Sequence, residues 1–575
     1  MKQNKSLDTI NKKGSFLMIA LSIFLAQSLL GQESINKWRL NGNMSLSGDF
    51  YSMNTDTSAA MKARRPGSVG RMVLNSTLSY GDFSLPISLM LSVGQHSAIL
   101  PPFGNRNFID FIKDPSNRVG IAPQYKWIQV LLGTQVPQYS ELSVGDLPVF
   151  GAGLNLTPGV FRLSVFAGTS QLAIEEDTTK NIQGIYARKM YSGKIGVGKE
   201  EASHLYFITT LMEDDTSSLI RKPVNTMPRN GLLSALDYRI KIGKQIYLKG
   251  EFAGSAFTRD SRSKLITDNK TPINLPPAIF KMQESSRFDY AGALTLAKDG
   301  KIFGIKLTGK YIGDGFVPLG YPFMQTDKLD VTINPRFNLF KDKFQLSGSV
   351  GKRINNLSGA RAATTTQTIG SADMNVQITQ RFSVSASFSN FDFRNSITLD
   401  TLRVQMVTRS LSLSPTYTYT GKKIMHVITI LGSLNTFTDF NTISGALNDN
   451  DSRTALLTYL LANLSTPFTM SSTLSYFDNL SSIGMLTTGS ANLSFGYRFF
   501  KKKLNATAGI SYTTNKLDAL SAGAQATTNL GLKYSLNQKI NLSAFGSINL
   551  FKYGTERPGV SYRENLLRLS LTYKF

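Results

Sequence analysis

Alternation with a period of two is the dominant pattern of this chain, and it is cleanest at the C-terminus. Leu567, Leu569, Leu571, Tyr573 and Phe575 fall on one face of an extended strand. Arg568, Ser570, Thr572 and Lys574 fall on the other. One face suits lipid and the other suits water. The same alternation recurs upstream. Leu530, Leu532, Tyr534 and Leu536 alternate with Asn529, Gly531, Lys533 and Ser535. Phe382, Val384, Ala386 and Phe388 stand against Ser383, Ser385 and Ser387, and Phe303, Ile305, Leu307 and Tyr311 against Lys306, Thr308 and Lys310. Many strands of about ten residues, each apolar on one side only, predict a transmembrane β-barrel; a soluble sandwich would carry more charge pairs outside.

The connections support this reading. Short turns are expected at 157–160, 198–203, 243–245, 297–301, 340–343, 380–381, 420–423, 464–467, 500–502 and 536–538, with longer polar stretches between them in strict rotation. Short periplasmic turns and long extracellular loops are the signature of outer-membrane barrels. From Val160 onward this predicts twenty strands. Upstream, five are expected near 38–50, 71–80, 85–93, 126–132 and 149–156. A closed barrel needs an even number, so a further strand is assigned to 134–147, around Tyr139, Leu142 and Val144. The fold class is thus an all-β antiparallel up-and-down barrel of about 26 strands, with 24 the alternative, both termini periplasmic.

The N-terminus changes the picture by adding export. Lys2, Lys5, Lys12 and Lys13 precede an apolar run over 16–30, too short to span comfortably as a helix. Residues 1–31 read as a signal peptide cut between Gly31 and Gln32, an uncleaved anchor being the alternative; 32–575 form a single barrel domain. The chain contains no cysteine, which removes a lipid-anchored N-terminus, disulfides and thiolate metal sites. The expected location is the outer membrane.

Net charge is +25, and +22 once the signal is removed. Exported and without a zinc-finger spacing or basic helix, the chain is not expected to bind nucleic acid. Lipopolysaccharide phosphates or anionic solutes are the expected counter-charges. Six basic residues fall at lumen positions, Lys194, Lys306, Lys310, Lys533, Arg568 and Lys574, and would line an anion-favouring path unless lumen acids such as Glu251 pair with them. His96, His204 and His426 lack metal-ligand spacing. The acidic runs Glu175-Glu176-Asp177 and Glu213-Asp214-Asp215 suit a hard cation but also suit plain solvation. No catalytic, metal or cofactor site is expected, and a barrel lipase or omptin-like protease is the least favoured reading.

Two segments carry a resemblance. One is Asn117-Arg118-Val119-Gly120-Ile121-Ala122-Pro123-Gln124-Tyr125-Lys126-Trp127, continued by Leu132-Gly133 and by Phe150-Gly151-Ala152-Gly153-Leu154-Asn155-Leu156-Thr157-Pro158-Gly159-Val160-Phe161-Arg162. It is similar to large outer-membrane barrel proteins of Bacteroidetes whose role is unassigned. The other is the terminal strand, whose Tyr573 and Phe575 resemble the β-signal read by the barrel assembly machinery, with Ser570 where that signal prefers Gly. The resemblance implies membrane and phylum, not a substrate. Thr157-Pro158-Gly159 is turn chemistry, and Gly151 and Gly153 would let backbone or a plug approach the wall.

Little chain is expected between the cleavage point and the first strand, which speaks against an N-terminal plug domain of the TonB-dependent kind. A barrel this wide would leak unless obstructed. The plug candidates are 94–126, with its run of Phe and Ile, and 258–287, or else a partner protein. The expected function is a non-catalytic channel or transporter with an obstructed lumen. The alternative is a translocon or scaffold closed by a partner.

Overall fold

The computed structural model describes residues 38–56, 63–94, 117–145, 147–221, 223, 225–266, 276, 279–321, 323–554 and 559–575. The expected signal peptide lies outside the described residues, as do His96 and most of the 94–126 candidate. Among the described residues the regular structure is almost wholly strand. There are 27 segments in one sheet, and all pairings between them are antiparallel. The first, Arg39–Thr55, pairs with the last, Tyr562–Lys574, bringing Leu46 opposite Leu571 and Asp49 opposite Arg568. The sheet therefore closes on itself. Arg118–Ile121 and Gln124–Tyr125 both lie between Phe83–Gly94 and Ile128–Gln135 and form one interrupted stave. The barrel thus has 26 staves, as expected.

That interrupted stave corrects the sequence reading, which assigned the extra strand to 134–147. The real one breaks at Pro123, which has no N–H for the ladder. Its glycine and proline hid the alternation. Beyond Gln135 the chain leaves the sheet instead, with Pro137 again denying a donor. Tyr139, Leu142 and Val144 do not keep one parity, so they never suited a single strand face.

Turn positions agree closely, 340–343 and 464–467 falling between strands as expected. The 297–301 turn is displaced, because Ser286–Asp299 runs longer and Phe303–Ile312 starts later. Strict rotation of short and long connections also fails twice at the opposite end. Phe468–Ser481 and Gly484–Phe499 are joined by two residues, as are Leu504–Leu517 and Leu520–Ser535. Asp518 and Ala519 both have positive φ, 51° and 68°, the geometry of a tight hairpin whose twist matches its strands. The other connections at that end are longer, so the two rims are called here the turn end and the loop end.

Register separates two faces. Phe207, Leu236, Phe252 and Leu294 share the outward face and stay 43–59% exposed, a band of apolar side chains with no protein against it. Such a band needs lipid. The inward face from Thr365–Gln377 to Tyr562–Lys574 is rich in hydroxyls and amides that bond across strands. Examples are Ser387 to Ser412 at 2.6 Å, Thr416 to Thr429 at 3.1 Å and Ser543 to Ser570 at 2.6 Å. Between roughly Ile128 and Leu339 the inward face is different, and there the fold has its core.

Candidate gate in the barrel lumen

Five neighbouring strands place Ile208, Ala235, Ala253, Ala291 and Ile312 opposite one another at one level of the inner wall. Three alanines between two isoleucines make a trough. Leu142, from the chain that left the sheet after Gln135, fills it and is fully buried, with Phe316 packed beside it. A second cluster joins Val144 to Phe166, Met190, Met212 and Leu319. Of the glycines read as sites of close approach, Gly153 serves this packing: a Cβ there would stand 2.4 Å from the Phe166 ring. In two segments, 136–148 and 313–327, the described residues (all but 146 and 322) therefore fold inward. They interlock where Tyr321 crosses Gly145, leaving no room for a Cβ there. Neither is a segment that sequence reasoning nominated as plug. In 258–287, the described residues hydrogen-bond among themselves, Gln283 Nε2 donating to the carbonyls of Ser261 and Ser263.

Polar anchors fix the first segment. Ser140 Oγ donates to Glu251 Oε1 at 2.6 Å, and the Leu142 amide donates to the same carboxylate at 3.1 and 3.2 Å. Tyr139 Oη lies 3.2 Å from Ser192 Oγ. The second segment is anchored by the Gly315 amide to Asp289 at 2.8 Å and by Val317 to Ser255 through both amide and carbonyl. Glu251 was read as a counter-ion for lumen lysines. It is the acceptor that holds the inward segment. Glu251→Ala leaves a buried Leu142 N–H without an acceptor, a cost of about 1–3 kcal/mol. The chain has no cysteine, so Ser143→Cys gives a unique, buried reporter. Maleimide labelling at that cysteine is expected to accelerate about five- to a hundredfold in the Glu251→Ala background; an equal rate would remove Glu251 from this role.

All six basic residues nominated from sequence fall on the inward register. Lys194 stands opposite Ile208, Lys306 opposite Ala297, Lys310 opposite Ala293, and Lys533 opposite Asn505 and Ser543. Arg568 and Lys574 lie on the inner side of the seam. They do not form one uniform basic path. Lys194 Nζ meets Glu200 at 2.8 Å and sits over the Tyr206 ring at 5.0 Å. Lys310 Nζ meets Glu141 at 2.7 Å, and Arg568 grips Asp49 with both nitrogens at 2.6 and 2.9 Å. Lys306, Lys533 and Lys574 form no ion pair among the described residues. In the turn beside the gate, the Lys194 hydrogen bond holds Glu200 below the ordinary carboxylate range against its burial. Glu141 is partly buried, which opposes ionisation. Lys310, with Lys249 and Lys306 near it, outweighs that and keeps it low as well.

Sequence reasoning missed several groups. His204 Nε2 lies 3.1 Å from Asp237 Oδ2, Nδ1 faces the Lys199 carbonyl at 3.3 Å, and the ring stacks on Tyr206. Both ring nitrogens are thus engaged within the wall, and neither is directed at a nucleophile. The signal that could have found this pair is the register of His204–Asp215 against Asn230–Ile242, which sets Tyr206 opposite Asp237 and His204 one inward step away. His426 lies on the outward face, its Nδ1 2.8 Å from Tyr459 Oη. The acidic runs are occupied: Arg188 grips Asp214 at 2.7 and 3.2 Å, Lys189 meets Asp215 at 2.9 Å, and Glu175 accepts the Ile220 amide at 2.8 Å.

Two cavities flank the inward segments. One of about 570 Å³ opens on the turn-end side, lined by Trp127, Gln129, Tyr139, Asn155, Arg162 and Lys194. One of about 350 Å³ lies between the inward segments, beside Glu141 and Lys310.

No protein-family model matches this chain, and no curated protein matches it in sequence. Among solved structures it is similar to OpdQ of Pseudomonas aeruginosa, at 10% identity over 93% of this chain and 98% of that one, with a TM-score of 0.30. The ferric enterobactin receptor PfeA of Pseudomonas aeruginosa, solved as a point mutant, gives 11% identity over 93% and 80%, with a TM-score of 0.42. OccAB2 of Acinetobacter baumannii gives 11% over 65% and 98%, with a TM-score of 0.31. Likeness at this level carries no functional weight, and the reading below rests on the lumen itself.

Proposed function

We propose that this chain is a non-catalytic outer-membrane channel or transporter whose lumen is narrowed by a gate built from its own residues 136–148 and 313–327. The observation that carries this is the burial of Leu142 in the alanine trough of a closed, outwardly apolar barrel. At a strand spacing near 4.8 Å, 26 tilted staves enclose a lumen on the order of 50 Å across. The two inward segments cover the wall between roughly Ile128 and Leu339. The hydroxyl-lined wall opposite leaves a hydrated path past the gate. On this reading a cleaved signal peptide exports the chain and the barrel assembly machinery inserts it. The turn end faces the periplasm, and lipopolysaccharide surrounds the loop end. The Bacteroidetes source belongs to the same reading.

Planar-bilayer recording of the purified barrel tests it. A steady conductance with brief closures is the expected result, and a barrel that never conducts would sink it. The width of the uncovered wall favours one second reading, a translocon whose remaining lumen a partner protein fills. That reading requires a closed pore that opens when the partner is stripped away.

A further inference from the structure

We propose that Lys249, Lys306 and Lys310 form a lumen site for carboxylate solutes with an apolar body, and that Glu141 occupies this site as an internal stand-in. The inference deepens the channel reading and rests on it. Lys249 shares a level of the wall with Thr295 and Thr308. Lys306 and Lys310 lie one inward step below and above Thr308 on the same strand. Three ammonium groups thus converge on one patch. The single carboxylate bonded there is Glu141, 2.7 Å from Lys310 Nζ. Asp330 stands opposite Lys310 but pairs with Lys328 and Arg353, and Glu251 holds Ser140 and Leu142, so among the described residues Lys249 and Lys306 have no ion-pair partner and remain open to a further carboxylate.

Glu141 is suited to exchange. Its side chain is 57% exposed, so water and solute reach it, whereas Lys310 is only 18% exposed and fixed on the wall. Its neighbours Ser140 and Leu142 are held by Glu251 on the other side of the segment. Glu141 can therefore leave Lys310 without the segment leaving the trough. Beside the pair, the cavity of about 350 Å³ is walled by Leu147, Ile312, Tyr321 and Met324, which gives an apolar body a place next to the ammonium. A carboxylate-bearing solute would replace one charge-assisted hydrogen bond by another of the same kind and add apolar contact.

The test is calorimetric titration of the full-length folded barrel in detergent at low salt, with sodium benzoate as probe and benzamide as the uncharged control. Glu141→Gln removes the internal competitor and should tighten benzoate binding about five- to tenfold, the worth of one partly exposed ion pair. Lys310→Met should weaken binding by at least a similar factor, and Lys306→Gln replaces it as the probe variant if Lys310→Met does not give a heat-modifiable barrel. Benzamide should not bind. Equal benzoate affinity in the parent and Glu141→Gln, or benzamide binding as well as benzoate, overturns the site. Calorimetry does not require conduction. Benzoate binding by a barrel that never conducts would keep the site and sink the channel reading, and conduction without binding would do the reverse.

Discussion

Placing aspartate at both Leu142 and Val144 should expel the inward segment and raise single-channel conductance about twofold or more. Both side chains are essentially inaccessible to solvent, in adjoining apolar clusters. Burying each contributes about 1.5–3 kcal/mol, which the substitution forfeits. Leaving an ionised carboxylate in the alanine trough adds a penalty of several kcal/mol per group. The hydrogen bonds from Ser140 and Leu142 to Glu251 contribute only about 1.5–3 kcal/mol each as bonds to a charged group, and they cannot hold the segment against that sum. The staves themselves are untouched, since their ladders run strand to strand and none of them passes through 136–148. A heat-modifiable barrel with enlarged conductance is therefore the expected pair of results. Unchanged conductance in a folded double variant would mean that the segment does not limit the path.

The barrel was legible because its strands obey one rule almost everywhere. Ser383, Ser385 and Ser387 facing inward, with Val384 and Ala386 facing out, announce both the strand and its orientation. The inward segments were not legible by that rule, because they pack where the rule lapses. His204–Asp215 carries Tyr206, Ile208 and Met212 inward as well as Leu205, Phe207 and Leu211 outward. Ala235, Ala253 and Ala291 add small residues on the inner side. A stretch of staves apolar on both faces is a stretch that something covers, and this pattern was present in the sequence. What covers it could not be read so easily. The nominated plugs were chosen for length and apolar content, and 95–116 and most of 267–278 lie outside the described residues; the inward segment that is described is short and owes its place to three residues, Tyr139, Leu142 and Val144, read instead as part of a strand. The six basic residues nominated were chosen by parity alone, and Lys249, which shares the inward register, was not among them. The partners of Lys310, Lys194 and Arg568 were not legible, since each comes from elsewhere in the fold: Glu141 from an inward segment, Glu200 from the turn after Ala187–Gly198 and Asp49 from the first strand across the seam.

Deleting Phe575 should cut the amount of barrel in the outer membrane severely while leaving the finished barrel nearly as stable as before. Phe575 lies just past the last strand and closes the seam at the turn end. Its amide donates to the Gly42 carbonyl, and the Gly42 amide donates to its carbonyl, each at 3.1 Å. Its ring approaches Tyr573 at 5.6 Å on the outward face. In the completed barrel this is one residue pair beyond a seam that already runs from Asn43–Lys574 to Thr55–Tyr562. Losing two backbone bonds costs about 1–3 kcal/mol. The lipid that surrounds the closed sheet penalises any opening of the ladder far more heavily. If an assembly machinery inserts the barrel as proposed above, the balance differs during insertion, because the seam has not formed and the strand carrying Phe575 is then an open edge. An exposed aromatic end, apolar on one side and polar on the other, is what an edge-pairing partner can recognise. The two effects separate experimentally. Outer-membrane levels of the deletion variant in cells should fall to a small fraction of the parent's. The same chain refolded from denaturant into detergent should show a heat-induced mobility transition within a few degrees of the parent. Full levels in cells would remove the signal, and a large drop in the refolded barrel's transition would make Phe575 a structural residue rather than an assembly one.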